Sequence, residues 1–220
     1  MRRKHFLLFA FIISIHVNSI EAQPDKIAWL TNTSQKMRQS NLDGSTVEDL
    51  INTGLSSPTW LAVDEVNYKI YFVDGSMIKR CDLDGSNIEN FLTSLDSPEG
   101  IAIDANNSKL YFISAQKVQS INFDGSNLDP DIVTSLSYPE GLAIDLTNQQ
   151  LYVTDRSDDK IVKSNYTGSI QSDFMNSINS LGISIDASMN LTMELSPGVL
   201  CARLTFWNES EAIKPAVKNR

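Results

Sequence analysis

Hydrophobic residues in this chain come in short runs that return with a fixed period, and polar residues fill the intervals. One kind of run is apolar throughout and closes on aspartate: Leu61-Ala-Val-Asp64, Ile101-Ala-Ile-Asp104, Leu142-Ala-Ile-Asp145 and Ile183-Ser-Ile-Asp186. Those aspartates are 40, 41 and 41 residues apart. Six residues beyond the first three stands an aromatic run: Ile70-Tyr-Phe-Val-Asp74, Leu110-Tyr-Phe-Ile-Ser114 and Leu151-Tyr-Val-Thr-Asp155. An opening copy, Ile27-Ala-Trp-Leu-Thr31, lacks the preceding run. A third marker, Asp-Gly-Ser, occupies 43–45, 84–86 and 124–126 and continues as Thr167-Gly168-Ser169, with glycines 41, 40 and 43 residues apart.

Each period resolves into four short strands. A run that is apolar at every position predicts a strand buried on both faces. The aromatic run is the second strand. The third alternates, as in Lys117-Val-Gln-Ser-Ile-Asn122 and Lys160-Ile-Val-Lys-Ser164. The Asp-Gly turn, where glycine supplies positive φ without steric cost, leads into a fourth, polar strand. Four antiparallel strands about every forty residues is the pattern of propeller blades. The expectation is an all-β chain, a β-propeller of about five blades over 23–206, whose ring either closes with five or stays incomplete. Helical repeats are excluded, because the runs are too short and too rich in Gly, Asn and Ser. After Asp186 the pattern decays: Leu191-Thr-Met-Glu194 is a weak copy, and Val199 to Phe206 leaves room for one more strand. Residues 207–220 receive no assignment.

Tyr71-Phe-Val-Asp74 and Tyr152-Val-Thr-Asp155, together with the Asp-Gly-Ser turns and Pro98-Glu-Gly100 and Pro139-Glu-Gly141, resemble the YWTD (class B) repeats of the LDL-receptor family. Pro58-Thr-Trp60 is a variant of the last element. The resemblance spans about residues 27–190 and rests on three markers kept in phase. No copy is a full Tyr-Trp-Thr-Asp, and Ser114 and Thr31 replace the aspartate. The family's six-bladed propellers, normally followed by an EGF-like module, need more residues than remain here. The resemblance implies a non-catalytic protein-binding module of the lipoprotein-receptor or Wnt co-receptor type. It also implies a ligand face made by loops at one mouth of the channel. Carried onto this sequence, those loops hold Thr59, Trp60, Glu99 and Glu140, then Gly75, Ser76, Ala115, Gln116, Arg156 and Ser157. Glu99 and Glu140 would put two carboxylates on one rim, matching a basic group of a ligand. Trp60, in place of a glycine, either fills the blade junction or stands as an exposed anchor.

The chain opens Met1-Arg-Arg-Lys-His and runs apolar from Phe6 to Val17 before Ile20-Glu21-Ala22, the pattern of a secretory leader over residues 1–22. The segment is shorter than the ~20 residues that span a bilayer, and no later segment reads as a membrane anchor. The expected location is extracellular. Cleavage after Ala22 would leave 198 residues and, by removing Arg2, Arg3, Lys4 and Glu21, take the net charge from −9 to −11. Acidity of that size disfavours nucleic acid and anionic membrane as partners. It leaves an extracellular protein ligand, basic in the matching case. Both histidines, His5 and His16, lie in the leader, so the mature chain would have no Ser-His-Asp or Cys-His pair and no imidazole metal ligand.

Other features read as structural. Aspartates recurring once per blade (Asp64, Asp104, Asp145, Asp186) are expected as hydrogen-bonding struts rather than a metal ring, and no cofactor or metal is expected. Tyr71, Tyr111, Tyr152 and Trp29 are expected in the inter-blade core. Cys81 and Cys201, on third strands of non-neighbouring blades, are expected to stay unpaired. Asn-x-Ser/Thr sequons stand at Asn32, Asn106, Asn165, Asn190 and Asn208; Asn106 and Asn165 fall in expected turns and are the candidate glycosylation sites. The alternative functions are a calcium-dependent lactonase or esterase on a six-bladed propeller, and a propeller fragment that assembles with another chain.

Overall fold

The computed structural model describes the backbone of residues 13–15, 26–177, 180–185, 191–195 and 202–204, with side chains over 26–177 and 182–185. Asp186, Asn190, Cys201, Asn208 and the stretch 207–220 lie outside these residues. Among the described residues there is no helix; every element is a β-strand. The chain forms two compact units, Met1–Pro98 and Glu99–Arg220.

The first unit holds two sheets, each joining four sequential strands antiparallel. Blade 1 comprises β1 (Ile13–Ile15), β2 (Lys26–Thr31), β3 (Lys36–Asn41) and β4 (Glu48–Ile51). Blade 2 comprises β5 (Pro58–Asp64), β6 (Lys69–Asp74), β7 (Met77–Asp82) and β8 (Glu89–Leu92). The place of a first strand in blade 1, which the repeat pattern leaves empty, is taken by Ile13–Ile15 against Lys26–Ala28. That strand falls inside the expected leader, so cleavage after Ala22 would bare the backbone edge of β2. Leu30, Met37 and Ile51 of blade 1, Leu55 of the link, and Leu61, Ile70, Phe72 and Cys81 of blade 2 form one buried cluster. Cys81 is an unpaired thiol in it.

Three sheets make the second unit. Blade 3 is β9 (Ile101–Asp104), β10 (Lys109–Ser114), β11 (Lys117–Asn122) and β12 (Asp129–Val133). Blade 4 is β13 (Pro139–Asp145), β14 (Gln150–Asp155), β15 (Lys160–Asn165) and β16 (Gln171–Asn176). A further sheet has β17 (Ser180–Ile185), β18 (Leu191–Leu195) and β19 (Ala202–Leu204). Tyr111, Ile113 and Val118 of blade 3 pack with Leu142, Leu151 and Val153 of blade 4. Ala143, Tyr152 and Ile161 on the other face of blade 4 meet Ile183. Burial of each such side chain contributes about 1.5–3 kcal/mol, which explains why the first two strands of each blade carry the apolar runs.

The aromatic positions divide. Tyr71, Tyr111 and Tyr152 are buried, as expected. Tyr111 meets Tyr166 of the next blade at 5.2 Å, whereas Tyr71 and Tyr152 meet Phe91 and Phe174 of their own blades at 5.4 and 5.2 Å. Trp29 departs from the expectation and is only half-buried. Its equivalent Phe72 is buried because that face of blade 2 packs on blade 1. Ala28 and Leu30 on β2 turn toward blade 2, so Trp29 takes the opposite face and lies under Arg38, 5.9 Å from its ring.

The recurring aspartates are turn struts. Asp64 accepts the Val66 and Asn67 amides at 3.1 and 3.0 Å and the Asn67 side-chain amide at 2.7 Å. Asp104 accepts the Asn107 amide and side chain at 3.2 and 2.7 Å, and Asp145 accepts those of Asn148 at 2.9 and 2.7 Å. A buried carboxylate thus satisfies the donors of a tight turn between first and second strands. A second set ties blades 2 and 4 to the links before them: Asp74 accepts from the Ser56 and Ser57 amides, both at 2.7 Å. Asp155 accepts from those of Ser137 and Tyr138, both at 2.8 Å. Asp-Gly-Ser forms the turn between third and fourth strands, with Gly44, Gly85, Gly125 and Gly168 all at positive φ.

Candidate functional site

In a four-stranded antiparallel sheet of sequential strands, the first and third turns share one end and the second hairpin shares the other with the incoming link. The Asp64, Asp104 and Asp145 struts occupy the first end, whereas Asp74 and Asp155 hold the incoming link at the second. The residues expected to bind sit at the second, which we call the rim.

On blade 2 the rim is built by pairing Pro58 with Asp74, so that the Gly75-Ser76 hairpin closes beside Thr59 and Trp60. Thr59 and Ser76 are exposed, while Trp60 is half-buried, between the two roles open to it. Thr59, Trp60 and Glu140 lie within strands rather than in loops, a correction with a local cause. The register shifts between Pro58 and Leu61, and again between Pro139 and Leu142. A bulge at that point bends the strand and re-aims its side chains. These residues therefore keep the rim orientation that a loop would have given them.

On blade 3, Ala115 and Gln116 form a two-residue hairpin, both at positive φ (52° and 60°) and both exposed. Glu99 stands beside it, its amide donating to the Ile113 carbonyl at 3.2 Å. On blade 4, Arg156 and Ser157 open the turn after β14 and are exposed. The Arg156 amide donates to the Tyr138 carbonyl at 3.0 Å.

Glu99 and Glu140 come together as the repeat requires, because the Gly100 amide donates to the Glu140 carbonyl at 2.9 Å. Glycine is needed at 100 for that approach: a Cβ there would stand 2.7 Å from the Leu142 nitrogen. The electrostatics differ from a bare pair of carboxylates. The Arg156 guanidinium lies 3.6 Å from the Glu140 carboxylate, with side chains 47% and 21% exposed. Glu140 thus already faces a cation of its own chain.

Two rim residues escaped the sequence reading. Tyr138 and Asp159 join Arg156 and Ser157 in lining a cleft of about 280 Å³. Tyr138 is 49% exposed and stands where the other two blades place Ser57 and Ser97 before the proline. That departure from the repeat was the available signal. Among the described residues, no three His, Cys, Asp or Glu side chains gather closely enough to hold a metal ion. No described helix is long and apolar enough to cross a membrane.

No known family profile matches the chain. A 56-residue stretch is 43% identical to the 3-hydroxyacyl-CoA dehydrogenase-like protein LAM1 of Cochliobolus heterostrophus, covering 24% of this chain and 12% of that protein. The chain thus spans a small part of that relative, whose name does not carry across. Solved structures share the fold over most of the chain. A nidogen/laminin complex matches at TM-score 0.77 and 18% identity over 89% of this chain and 76% of its own. Virginiamycin B lyase from Staphylococcus aureus matches at 0.66 and 16% identity, covering 94% and 74%. The gluconolactonase XC5397 of Xanthomonas campestris matches at 0.66 and 19% identity, covering 82% and 68%. Sheets of sequential antiparallel strands, four in each of blades 1 to 4, give this chain the β-propeller fold that it shares with these structures.

Proposed function

We propose that the chain is a secreted, non-catalytic module that binds an extracellular protein at the rim of its blades. The carrying observation is a division of labour between the two sheet ends. At the strut end Asp64, Asp104 and Asp145 repeat the same bonds, while the rim departs from the repeat at single blades: Thr59-Trp60 in blade 2 against Glu99-Gly100 and Glu140-Gly141 in blades 3 and 4, and Tyr138 in blade 4 against Ser57 and Ser97 before the proline. Positions that vary on a fixed frame are where recognition is placed. Support comes from the likeness to a propeller solved within a nidogen/laminin complex. The partner chemistry is mixed: Glu99 suits a cationic side chain, while Arg156 and Tyr138 suit an acidic or aromatic one. Lipoprotein-type and Wnt-type ligands are the two classes that the family resemblance brings into the test.

The likeness to virginiamycin B lyase and a gluconolactonase favours a second reading, an enzyme acting at the same end. One experiment separates them. The immobilised full chain is offered lipoproteins, Wnt-type ligands and a pool of secreted proteins, and in parallel a panel of lactones. Saturable protein binding that weakens on joint Glu99→Ala and Glu140→Ala substitution, but not on Asp43→Ala at the strut end, supports the binding module. Lactone turnover lost in the same double variant overturns it.

A further inference from the structure

We propose that Asn106 carries an N-linked glycan, whereas Asn165, which also heads an Asn-x-Ser/Thr sequon, is reserved for the fold. This rests on the reading that the chain enters the secretory pathway.

The two asparagines sit in different mechanical roles. Asn106-Asn107-Ser108 fills the turn between β9 and β10. The turn is held by Asp104, which takes the Asn107 amide and side chain, and by the Ser108 amide donating to Ala105 at 3.3 Å. The Asn106 side chain takes no part and is exposed. In the other blades the same position holds Val66, 63% exposed, and Thr147. A site that accepts an aliphatic, a hydroxyl or an amide side chain is one from which the fold asks nothing.

Asn165 is a working part. It ends β15 rather than lying free in a turn, and it is half-buried. Its Nδ2 donates to Ser169 Oγ at 2.8 Å, and its Oδ1 accepts the Ile170 amide at 3.3 Å. Asn41 and Asn122 hold Ser45 and Ser126 in the same way, at 2.9 and 3.0 Å. The turn it caps is pressed on blade 3: a Cβ on Gly168 would stand 1.9 Å from the Ile132 carbonyl oxygen. A sugar on Nδ2 would compete with that cap for the same space.

The modification forms a bond between Asn106 Nδ2 and C1 of the first sugar of a lipid-diphosphate-linked oligosaccharide. The C1–O bond breaks, the lipid diphosphate leaves with the electron pair, and Nδ2 gives up one proton. The glycan would stand at the strut end of blade 3, one six-residue strand (about 20 Å) from Glu99 and Gln116, and so leaves the rim open.

The test is expression of the full chain in a eukaryotic secretory host, once with its own N-terminus and once behind a heterologous leader. Enzymatic deglycosylation in ¹⁸O water and peptide mass spectrometry then mark each occupied asparagine. We expect label at Asn106 and none at Asn165. Asn106→Gln should remove that glycan and leave Tm unchanged, while Asn165→Gln should leave it and lower Tm by several degrees. A glycan on Asn165 of the folded protein, or none on Asn106 behind the heterologous leader, overturns the proposal. Label at Asn106 only behind the heterologous leader supports the site and overturns the secretory reading.

Discussion

Asp74 gives the sharpest test of how a blade is tied together. It is fully buried and takes four contacts: the Ser56 and Ser57 amides at 2.7 Å, the Ser56 hydroxyl at 3.0 Å and the Lys79 ammonium at 2.6 Å. Lys79 is itself 9% exposed, and its other partner is the Gly54 carbonyl at 3.3 Å. Asp74→Asn keeps the volume and one acceptor oxygen but turns an amide donor on the ammonium, leaving a buried cation uncompensated. Breaking a buried pair in this way costs about 3–5 kcal/mol, a large part of the roughly 5–15 kcal/mol that holds a domain together. The chain carries its own controls. At the equivalent places blade 3 has Ser114 and Gln119, joined by a bond from the glutamine side chain to the Ser114 carbonyl at 3.1 Å. Blade 4 has Asp155 with no lysine, Val162 standing where Lys79 does. Lys79→Gln should therefore cost about 1–2 kcal/mol. Asp74→Ser with Lys79→Gln should cost clearly less than the two single changes added. Burial pushes the Asp74 carboxyl up, but the Lys79, Ser57 and Ser56 bonds outweigh it and hold it below its ordinary value. A depressed carboxylate contributes stability that is fully present above its unfolded value, near 3.9, and is lost as pH falls through the folded value. Urea unfolding of the wild type, Asp74→Asn, Asp74→Ser, Lys79→Gln and the double variant at pH 7 and at successively lower pH measures all of this. An Asp74→Asn cost below about 1 kcal/mol at pH 7, or a double variant as damaged as the sum of its parts, would refute the reasoning.

Three further outcomes are expected. Gly44→Ala and Gly125→Ala meet nothing within 4 Å and should cost only the left-handed backbone penalty of about 1–2 kcal/mol; Gly85→Ala and Gly168→Ala, driven toward the Leu50 and Ile132 carbonyls, should cost clearly more in thermal unfolding. Equal losses at all four would show that the turns are not pressed on neighbouring blades. The Cys81 thiol, pushed up to about 12 chiefly by burial, should resist alkylation at pH 8 in the native protein and react once unfolded, as read by peptide mapping; rapid native labelling contradicts its place in the core. Joint Glu99→Ala and Glu140→Ala substitution should change stability by less than about 1 kcal/mol, since the Arg156–Glu140 pair is partly exposed, while weakening rim binding; a large loss of Tm would assign the pair to the fold.

The sequence by itself determined the blade. Strand order, the Asp-Gly-Ser turns and the aspartate struts follow from interactions made within about forty residues, and local chemistry repeated in phase, the tyrosine positions included, is legible in a linear string. It also put Glu99 and Glu140 at the same point of successive repeats, beside the first strands of blades 3 and 4, since equal positions in equal repeats must lie side by side. What the tertiary structure decided is how each position is used once other segments arrive. Trp29 keeps the motif but turns to the face away from blade 2. Arg156 reaches Glu140 and changes the charge of the rim, and Tyr138 opens a cleft with it. Asn106 and Asn165 each head a sequon, yet only Asn165 is spent on a turn. These outcomes depend on bulges that re-aim side chains and on approaches between blades set by a few ångströms, quantities that the order of residues does not express until the sheets have packed.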